Sequence, residues 1–179
     1  MTTADTEHAP ARIRRLHRLD ESDITALADV LIDCVDGGAS VSFMHPLSRE
    51  TATTFWRGLA GDITDGRRLL LAAFDDDGIA GTVQVVAAQP DNQPHRADVA
   101  KMLVHRRARR RGIGEALMRA AEDAARAAGK TLLVLDTVTD SDAARLYARL
   151  GWVFSGVVPD YALWPRGGLC STSFYYRRL

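Results

Sequence analysis

The sequence has few cysteines, no net charge and no long apolar run, and each of these shortages excludes a class of protein. Its two cysteines, Cys34 and Cys170, are far apart and lack a C-x-x-C partner, so we expect buried free thiols rather than a disulfide framework or a zinc site. The five histidines show no ligand spacing such as H-x-x-x-H, and we expect no metal. No apolar stretch approaches the roughly 18 residues that cross a bilayer, and the polar start MTTADTEHAP does not resemble a signal peptide. We therefore expect a soluble, cytoplasmic protein with no membrane partner.

The charges are balanced, with 23 Lys and Arg against 23 Asp and Glu. A protein that binds DNA or RNA usually has a net positive field that holds the polyanion. This chain has none, so we do not expect a nucleic-acid partner.

Hydrophobic periodicity predicts strands and helices in the order β-α-α-β-β-β-α-β-α-β-β. The 179 residues, 46% of them hydrophobic, suit one domain over 11–179 after a disordered tail at 1–10. Helices are expected from Asp20 or Ser22 to Gly37 and at about 48–63, 115–129 and 141–151. Strands are expected at 11–17, 68–74, 79–89, 96–105, 131–136, 152–158 and 171–179. This order predicts an α/β (α+β) fold, a mixed sheet with helices on its faces.

The stretch HRRARRRGIG, residues 105–114, places an arginine run between a buried strand and the first turn of a helix. Helix N-termini leave backbone N–H groups unpaired, and the helix dipole favours an anion there. Gly112 and Gly114 have no Cβ, so a phosphate can approach the main chain closely. The pattern R-x-x-G-x-G matches neither the P-loop nor the dinucleotide fingerprint. Alone it indicates either a diphosphate site or a charged turn that caps a helix.

Further along the chain lie an alanine-rich helix, an apolar strand and the pattern Ala143-x-x-Leu146-Tyr147-x-x-Leu150-Gly151-Trp152. In this order and spacing the sequence resembles the GNAT superfamily of acetyl-coenzyme A dependent N-acetyltransferases. The resemblance implies a mostly antiparallel central sheet of about six or seven strands, about four helices, and a splay between strands 96–105 and 131–136. It also implies that acetyl-CoA is held at the glycine loop and along the splayed strand, by Met102, Leu103, Val104, Arg109, Arg110, Arg111, Gly112, Ile113, Gly114 and Glu115.

Within that superfamily the sequence is similar to the tabtoxin resistance group, which acetylates a β-lactam amino acid toxin. The similarity lies in GGASVSFM at 37–44, Trp56, RADVAKMLV, LLVLDT and the FYYRRL end. It implies that the segment between the first two helices selects the acceptor. The acceptor-binding candidates are Gly38, Phe43, Met44 and Trp56, although apolar residues near helix ends are more often plain core.

Acetyl transfer to an amine requires a base for the amine proton and a proton donor for the departing thiolate. Asp98 and Asp136 are the base candidates: strand alternation places Asp98 on one face with Ala100 and Met102, and Asp136 ends an apolar strand at its carboxyl end. The resemblance makes Tyr147 the proton donor. Simpler interpretations stay open, since Asp136 could cap a turn, Asp98 could be a solvated charge, and Tyr147 could be core.

The leading hypothesis is a direct transfer of acetyl from acetyl-CoA to the primary amine of a small, amino-acid-like molecule, such as a toxin or antibiotic. Two alternatives remain: an acetyltransferase of protein N-termini or lysines, and a regulatory or nucleic-acid binding module on the same scaffold. The last strand, ending in FYYRRL, could pair or pack across a homodimer.

Overall fold

A computed structural model of the chain describes residues 11–179, so the predicted tail at 1–10 lies outside the described residues. The helices are α1 (Glu21–Asp36), α2 (Arg49–Thr64), α3 (Ile113–Ala127) and α4 (Asp142–Arg149), with a single 3-10 turn at Arg106–Ala108. The strands are β1 (Arg12–Leu16), β2 (Arg68–Asp75), β3 (Gly78–Ala87), β4 (Arg96–Val104), β5 (Leu132–Val138), β6 (Val153–Leu163) and β7 (Leu169–Arg178). The predicted order of elements is confirmed.

The seven strands form one sheet in the order β1-β2-β3-β4-β5-β7-β6. Neighbouring strands run antiparallel except β4 and β5, which are parallel and pair only from Arg96↔Leu132 to Asp98↔Val134. Beyond Asp98 the two strands separate. This confirms the mixed, mostly antiparallel sheet with a splay between β4 and β5. That residues 11–179 form a single domain stays a prediction, which the continuous sheet supports.

Each face of the sheet carries its own core because strand side chains alternate. In β2, Leu69 and Leu71 pack into the cluster under α3 and α4. The intervening Leu70 and Ala72 pack into the cluster under α1 and α2. The sheet is therefore covered on both faces. None of the described helices has the length and apolar character needed to cross a bilayer.

Polar caps fix the ends of the first two helices. Asp20, rather than Ser22, starts α1: its carboxylate accepts from the Asp23 amide at 2.8 Å, and Asp23 reaches back to the Asp20 amide. Ser48 caps α2 by accepting from the Thr51 amide at 3.1 Å. The Asp20 cap therefore fixes the start of α1, and the Ser48 cap fixes the point at which the chain between α1 and α2 enters α2.

A β-bulge in β4 shows that the predicted face shared by Asp98, Ala100 and Met102 is wrong. Ala100 lies opposite Gln84 and Leu103 opposite Thr82, so β4 contains one extra residue there. The extra residue reverses the alternation that follows it. Asp98 and Ala100 stay on the α1/α2 face together with Leu103, whereas Met102 packs toward α3. Lys101, at the bulge, has a φ of 49°.

The sixth strand is longer than predicted, since it runs to Leu163 rather than ending at 158. Pro159 and Asp160 lie within the added length. β6 is an edge strand. Proline is tolerated in an edge strand because its nitrogen can face away from the neighbouring strand, where no hydrogen bond is needed. The register shifts between Val158 and Ala162, and Asp160 has a φ of 52°. The irregularity is thus absorbed within the strand.

Candidate active site

One cavity of about 950 Å³ follows the splay between β4 and β5 and joins most of the residues that the sequence singled out. Four segments form its walls: the loop between α1 and α2, the second half of β4, the glycine loop with the start of α3, and the end of β5 with α4. The β6–β7 hairpin closes one end. The residues predicted for the site that line the cavity are Gly38, Phe43, Met44, Met102, Leu103, Val104, Arg109, Arg110, Gly112, Ile113, Gly114, Glu115, Asp136 and Tyr147.

The start of α3 forms the end of the cavity that suits an anion. Gly112 is the N-cap with a φ of 74°, and no side chain caps the helix, so the first-turn amides remain available. At Gly114 an added Cβ would lie 3.1 Å from Leu146 Cδ2, closer than an ordinary contact. Both glycines are therefore required by the geometry, one for its backbone conformation and one for its lack of a side chain.

The arginine run divides between this cavity and surface ion pairs. Arg106 Nε donates to Asp33 Oδ1 at 2.8 Å. Arg107 and Arg111 both pair with the buried carboxylate of Asp75, at 2.5 and 3.3 Å. Arg109 and Arg110 line the cavity, whereas the predicted cofactor residue Arg111 does not. Neighbouring acids therefore engage three of the five arginines.

Backbone groups of β4 line the middle of the cavity. β4 pairs with β3 at Leu103 and Val104, but its pairing with β5 has already ended at Asp98. The Leu103 side chain is buried in the other core, so this residue offers its main chain to the cavity. The Val104 carbonyl accepts from Arg109 Nε at 3.2 Å.

Asp136, near the end of β5, and Tyr147, in α4, both line the cavity. Asp136 remains exposed to solvent, but the cavity walls partly desolvate its carboxyl, and this raises its pKa above the ordinary value. The charge of Asp98 raises it further, and that of Lys101 opposes the rise. Tyr147 is 5% exposed. Its burial, and then the charge of Asp136, raises the pKa of its hydroxyl. The tyrosine therefore stays protonated at neutral pH.

Asp98 and Trp56, two predicted site residues, lie outside the cavity walls. The Asp98 carboxylate is half-exposed and pairs with Arg96 Nη1 at 2.6 Å. Trp56 is fully buried and stands behind the wall, with its ring 5.1 Å from Phe55, which is 5.2 Å from Phe43. Both residues affect the cavity indirectly. The charge of Asp98 acts on Asp136, and Trp56 packs against Phe55, which packs against Phe43.

The loop between α1 and α2 is tied to the β6–β7 hairpin. Ser40 Oγ donates to the Leu163 carbonyl at 2.8 Å, and the His45 amide donates to the Pro165 carbonyl at 2.8 Å. Tyr161, Leu163 and Trp164 of the hairpin line the cavity. The hydrogen bonds therefore hold two walls of the cavity together.

Sequence reasoning missed Lys101, which lines the cavity. Its signal was a lysine inside the otherwise mostly apolar strand RADVAKMLV. Strand alternation could not show which face Lys101 occupies, because the β-bulge lies at this residue.

Both cysteines are free and buried, as predicted. Cys34 lines the cavity, and its Sγ lies 3.5 Å from the Val104 carbonyl. Burial raises the pKa of the thiol, so it is a poor nucleophile at neutral pH. Within residues 11–179, no group of three or more His, Cys, Asp or Glu side chains is arranged to hold a metal ion.

The cavity joins an uncapped helix start, which suits the phosphates of an acyl donor, to a carboxyl and a buried tyrosine, an arrangement that suits an acyltransferase. The model of the acetyltransferase (GNAT) family matches residues 36–152. The chain belongs to the GNAT acetyltransferase family.

Known relatives agree with this assignment. An uncharacterized N-acetyltransferase from the hisH-hisA intergenic region of Azospirillum brasilense is 31% identical over 126 residues, 69% of this chain and 73% of the relative. The structure of yncA from Salmonella typhimurium, solved with its cofactor acetyl-CoA, has a TM-score of 0.76 at 17% identity and covers 96% of this chain and 95% of its own. A ribosomal-protein-alanine N-acetyltransferase from Brucella melitensis has a TM-score of 0.78 at 20% identity, covering 94% of this chain and 99% of its own.

Acetyl-CoA is the cosubstrate of this GNAT fold. The residues present fit it, because the uncapped α3 start and the left-handed Gly112 form an open cradle, with no atom within 4 Å of the position that a Cβ on Gly112 would take. The cavity extends from this cradle along β4 to Asp136. The chain is therefore an acetyl-CoA-dependent N-acetyltransferase of the GNAT type.

Proposed function

We propose that the protein acetylates the primary amine of a small, amino-acid-like molecule by direct transfer from acetyl-CoA. The observation that carries the proposal is that Asp136 and Tyr147 line one cavity with a loop that is hydrogen-bonded to the β6–β7 hairpin. A concave pocket bounded by these segments favours a small acceptor over an extended protein segment.

The cofactor diphosphate is assigned to the amides of Gly112, Ile113, Gly114 and Glu115, with the Arg109 and Arg110 side chains beside it. Arg109 and Arg110 line the cavity, so we prefer their side chains for diphosphate binding. Arg111 pairs with Asp75, so only its place in the glycine loop connects it with the cofactor. The main chain of Met102, Leu103 and Val104 is assigned to the pantetheine amides, because the β5 side of β4 has no strand partner there. The cofactor supplies the activated acetyl thioester.

Asp136 is assigned as the base that accepts a proton from the acceptor amine. Its raised pKa brings the carboxylate closer to the range in which it accepts a proton effectively. Asp98 lies outside the cavity and is assigned an indirect role, since its negative charge helps to raise that pKa. A water that bridges Asp98 to the amine would give it a direct role.

Tyr147 is assigned as the donor of a proton to the departing sulfur. Its hydroxyl is protonated at neutral pH because burial raises its pKa. Packing against Trp152 and Tyr175, at ring distances of 6.1 and 6.2 Å, fixes the ring. The high pKa of the Cys34 thiol supports direct transfer without an acetyl-cysteine relay.

Phe43, Met44 and Gly38 are assigned to the acceptor, with Trp56 supporting Phe43 from behind. The similarity of this segment to the tabtoxin resistance group makes β-lactam amino acids the first toxins to test. The paired arginines Arg106, Arg107 and Arg111 argue against a nucleic-acid function.

A second copy of this chain is the partner that we assign to the β6 edge. Its large apolar side chains are 42–54% exposed at Val153, Phe154, Val157, Val158, Tyr161 and Leu163. An exposed edge strand pairs readily with another copy of itself. The homodimer is tested in the Discussion.

Thiol release from acetyl-CoA tests the function, with amino acids, β-lactam amino acids, aminoglycosides and short peptides as acceptors. Turnover confined to one group of small amines, with the acetylated product identified by mass, is the expected result. Turnover only with peptides would indicate an acetyltransferase of protein N-termini or lysines instead. Failure to bind acetyl-CoA, measured by calorimetry, would overturn the proposed enzymatic function and favour a regulatory or nucleic-acid binding module.

A further inference from the structure

The cavity wall contains a cation that the chemistry assigned to Asp136 and Tyr147 does not use. Lys101 lies at the bulge of β4 and lines the cavity. Burial lowers the pKa of its ammonium group, opposed by the charge of Asp136. In the part of the chain that the structure describes, no carboxylate lies within 4 Å of its Nζ atom.

The structure fixes the direction of this side chain. The extra residue in β4 changes the face that each following residue occupies, and Lys101 adopts a φ of 49°. Its Nζ donates to Ser42 Oγ at 3.0 Å and lies 5.9 Å from the centre of the Phe55 ring. Ser42 belongs to the loop that contains the acceptor candidates and has a φ of 76°. Lys101 is therefore held at the acceptor end of the cavity.

Placing an ammonium group here costs desolvation free energy that a hydroxyl and an aromatic ring only partly offset. The charged groups that act on it are Asp136, which is favourable, and Arg68, which is unfavourable. An ammonium that has lost water in this way binds a carboxylate strongly, because charge-assisted hydrogen bonds gain strength in a low-dielectric site.

We propose that Lys101 binds the carboxylate of the acceptor while Asp136 receives the proton of its amine. The two side chains present opposite charges in one cavity, which matches a molecule that carries an ammonium and a carboxylate. The proposal rests on the proposed function and narrows its substrate class to amines that carry a carboxylate. Lys101 is thus a specificity-determining residue.

Matched acceptors test this assignment. We would measure kcat/KM by thiol release for each standard amino acid and for its carboxamide, which keeps the amine and removes the negative charge. The wild type is expected to favour amino acids, and Lys101→Met is expected to lower their kcat/KM by about 10- to 100-fold. The carboxamides should change less than threefold, so the preference should disappear. Lys101→Arg should retain part of it.

Lys130→Met is the control, because Lys130 donates to the Pro94 carbonyl and does not line the cavity. It should leave both acceptor series unchanged. An equal loss for acids and amides in Lys101→Met would overturn the proposal and make Lys101 a base or a structural residue. A wild type that acetylates amines but prefers the amides would also overturn it, while the proposed function stands. Absence of turnover with every small amine would instead contradict the proposed function.

Discussion

The residues at the reacting end act through the charges around them. Asp136 lines the cavity, and its raised pKa reflects partial desolvation by the cavity walls first and then the balance of the charges of Lys101 and Asp98. Tyr147 stays protonated for the same reason of burial. The sequence predicted both residues from a strand end and a helix motif. It could not rank Asp98 and Asp136, because the ranking depends on which carboxylate faces a cavity.

The pH dependence of kcat/KM should report the Asp136 carboxylate. A base acts when it is deprotonated, so the rate should fall more steeply with decreasing pH once the pH passes below the raised pKa of Asp136. Asp98→Asn removes a charge that raises this pKa, and the break should move to lower pH. Profiles with one acceptor measure the shift, because protonation of the acceptor amine is the same in both enzymes. A break that stays in place would contradict the assignment.

Tyr147→Phe should lower kcat by about 100-fold or more, since general acid catalysis contributes roughly that factor. The ring should keep its packing, so the melting temperature should change little. Tyr175→Phe is the matched control, because Tyr175 packs against Tyr147 in the same core but does not line the cavity. Equal kcat values for the two variants would assign Tyr147 to the core alone.

At the scale of elements, the start of α3 and the bulge of β4 create the site. Periodicity and the R-x-x-G-x-G pattern predicted the first, because glycine and a helix start leave a local signal. The bulge left none, since strand alternation assumes that every residue pairs. That assumption placed Met102 on the wrong face and left Lys101 unnoticed. The prediction also ended this strand at 158, whereas β6 continues through Pro159, which an edge strand tolerates.

Gly112→Ala should raise the KM for acetyl-CoA by at least tenfold. A left-handed alanine costs about 1–2 kcal/mol, so the backbone at the α3 start is expected to move away from the φ of 74° that presents the first-turn amides. Gly58→Ala is the control, because Gly58 lies within α2 with open space around it. That change should stabilise the protein by about 0.5–1 kcal/mol without altering KM. Calorimetric binding of acetyl-CoA to both variants measures the difference, and equal affinities would contradict the cradle.

Asp75→Asn should destabilise the protein by about 1–3 kcal/mol at neutral pH, because it weakens charged hydrogen bonds to two arginines. Burial alone would raise the pKa of Asp75, but hydrogen bonds from Arg107 and the Asp77 amide, together with the charges of Arg107 and Arg111, outweigh it and lower the pKa. A carboxyl with a lowered folded-state pKa stabilises above its unfolded pKa, and that stability is lost as pH falls through the folded value. Urea unfolding should show the two proteins converging in acid. A constant difference would contradict the linkage.

The whole molecule has no net charge, and its arginines are largely matched by acids on its own surface. The fold follows from the order of elements, which composition and periodicity predicted because each element has a local pattern. The position of Trp56 behind the wall, and the paired state of Arg111, depend on contacts between distant segments. Those contacts have no local signal, so the sequence included both residues in the site.

The exposed β6 strand predicts a homodimer in solution. Val157→Lys should convert it to a monomer in sedimentation velocity, because a charge on the strand opposes pairing and costs desolvation. Thr54→Lys, on the exposed side of α2, should leave the dimer intact. A wild type that sediments as a monomer at all concentrations would contradict the assignment of this edge.

The central claim is that Asp136 removes the proton from a small amine bound beside acetyl-CoA, and acceptor-dependent thiol release in three proteins tests it most directly. With the best amino acid acceptor, Asp136→Asn should reduce kcat about 100- to 1000-fold, while its affinity for acetyl-CoA stays at the wild-type value. Asp98→Asn should retain activity within about tenfold of the wild type. Equal rates in wild type and Asp136→Asn, or a larger loss in Asp98→Asn, would contradict the account.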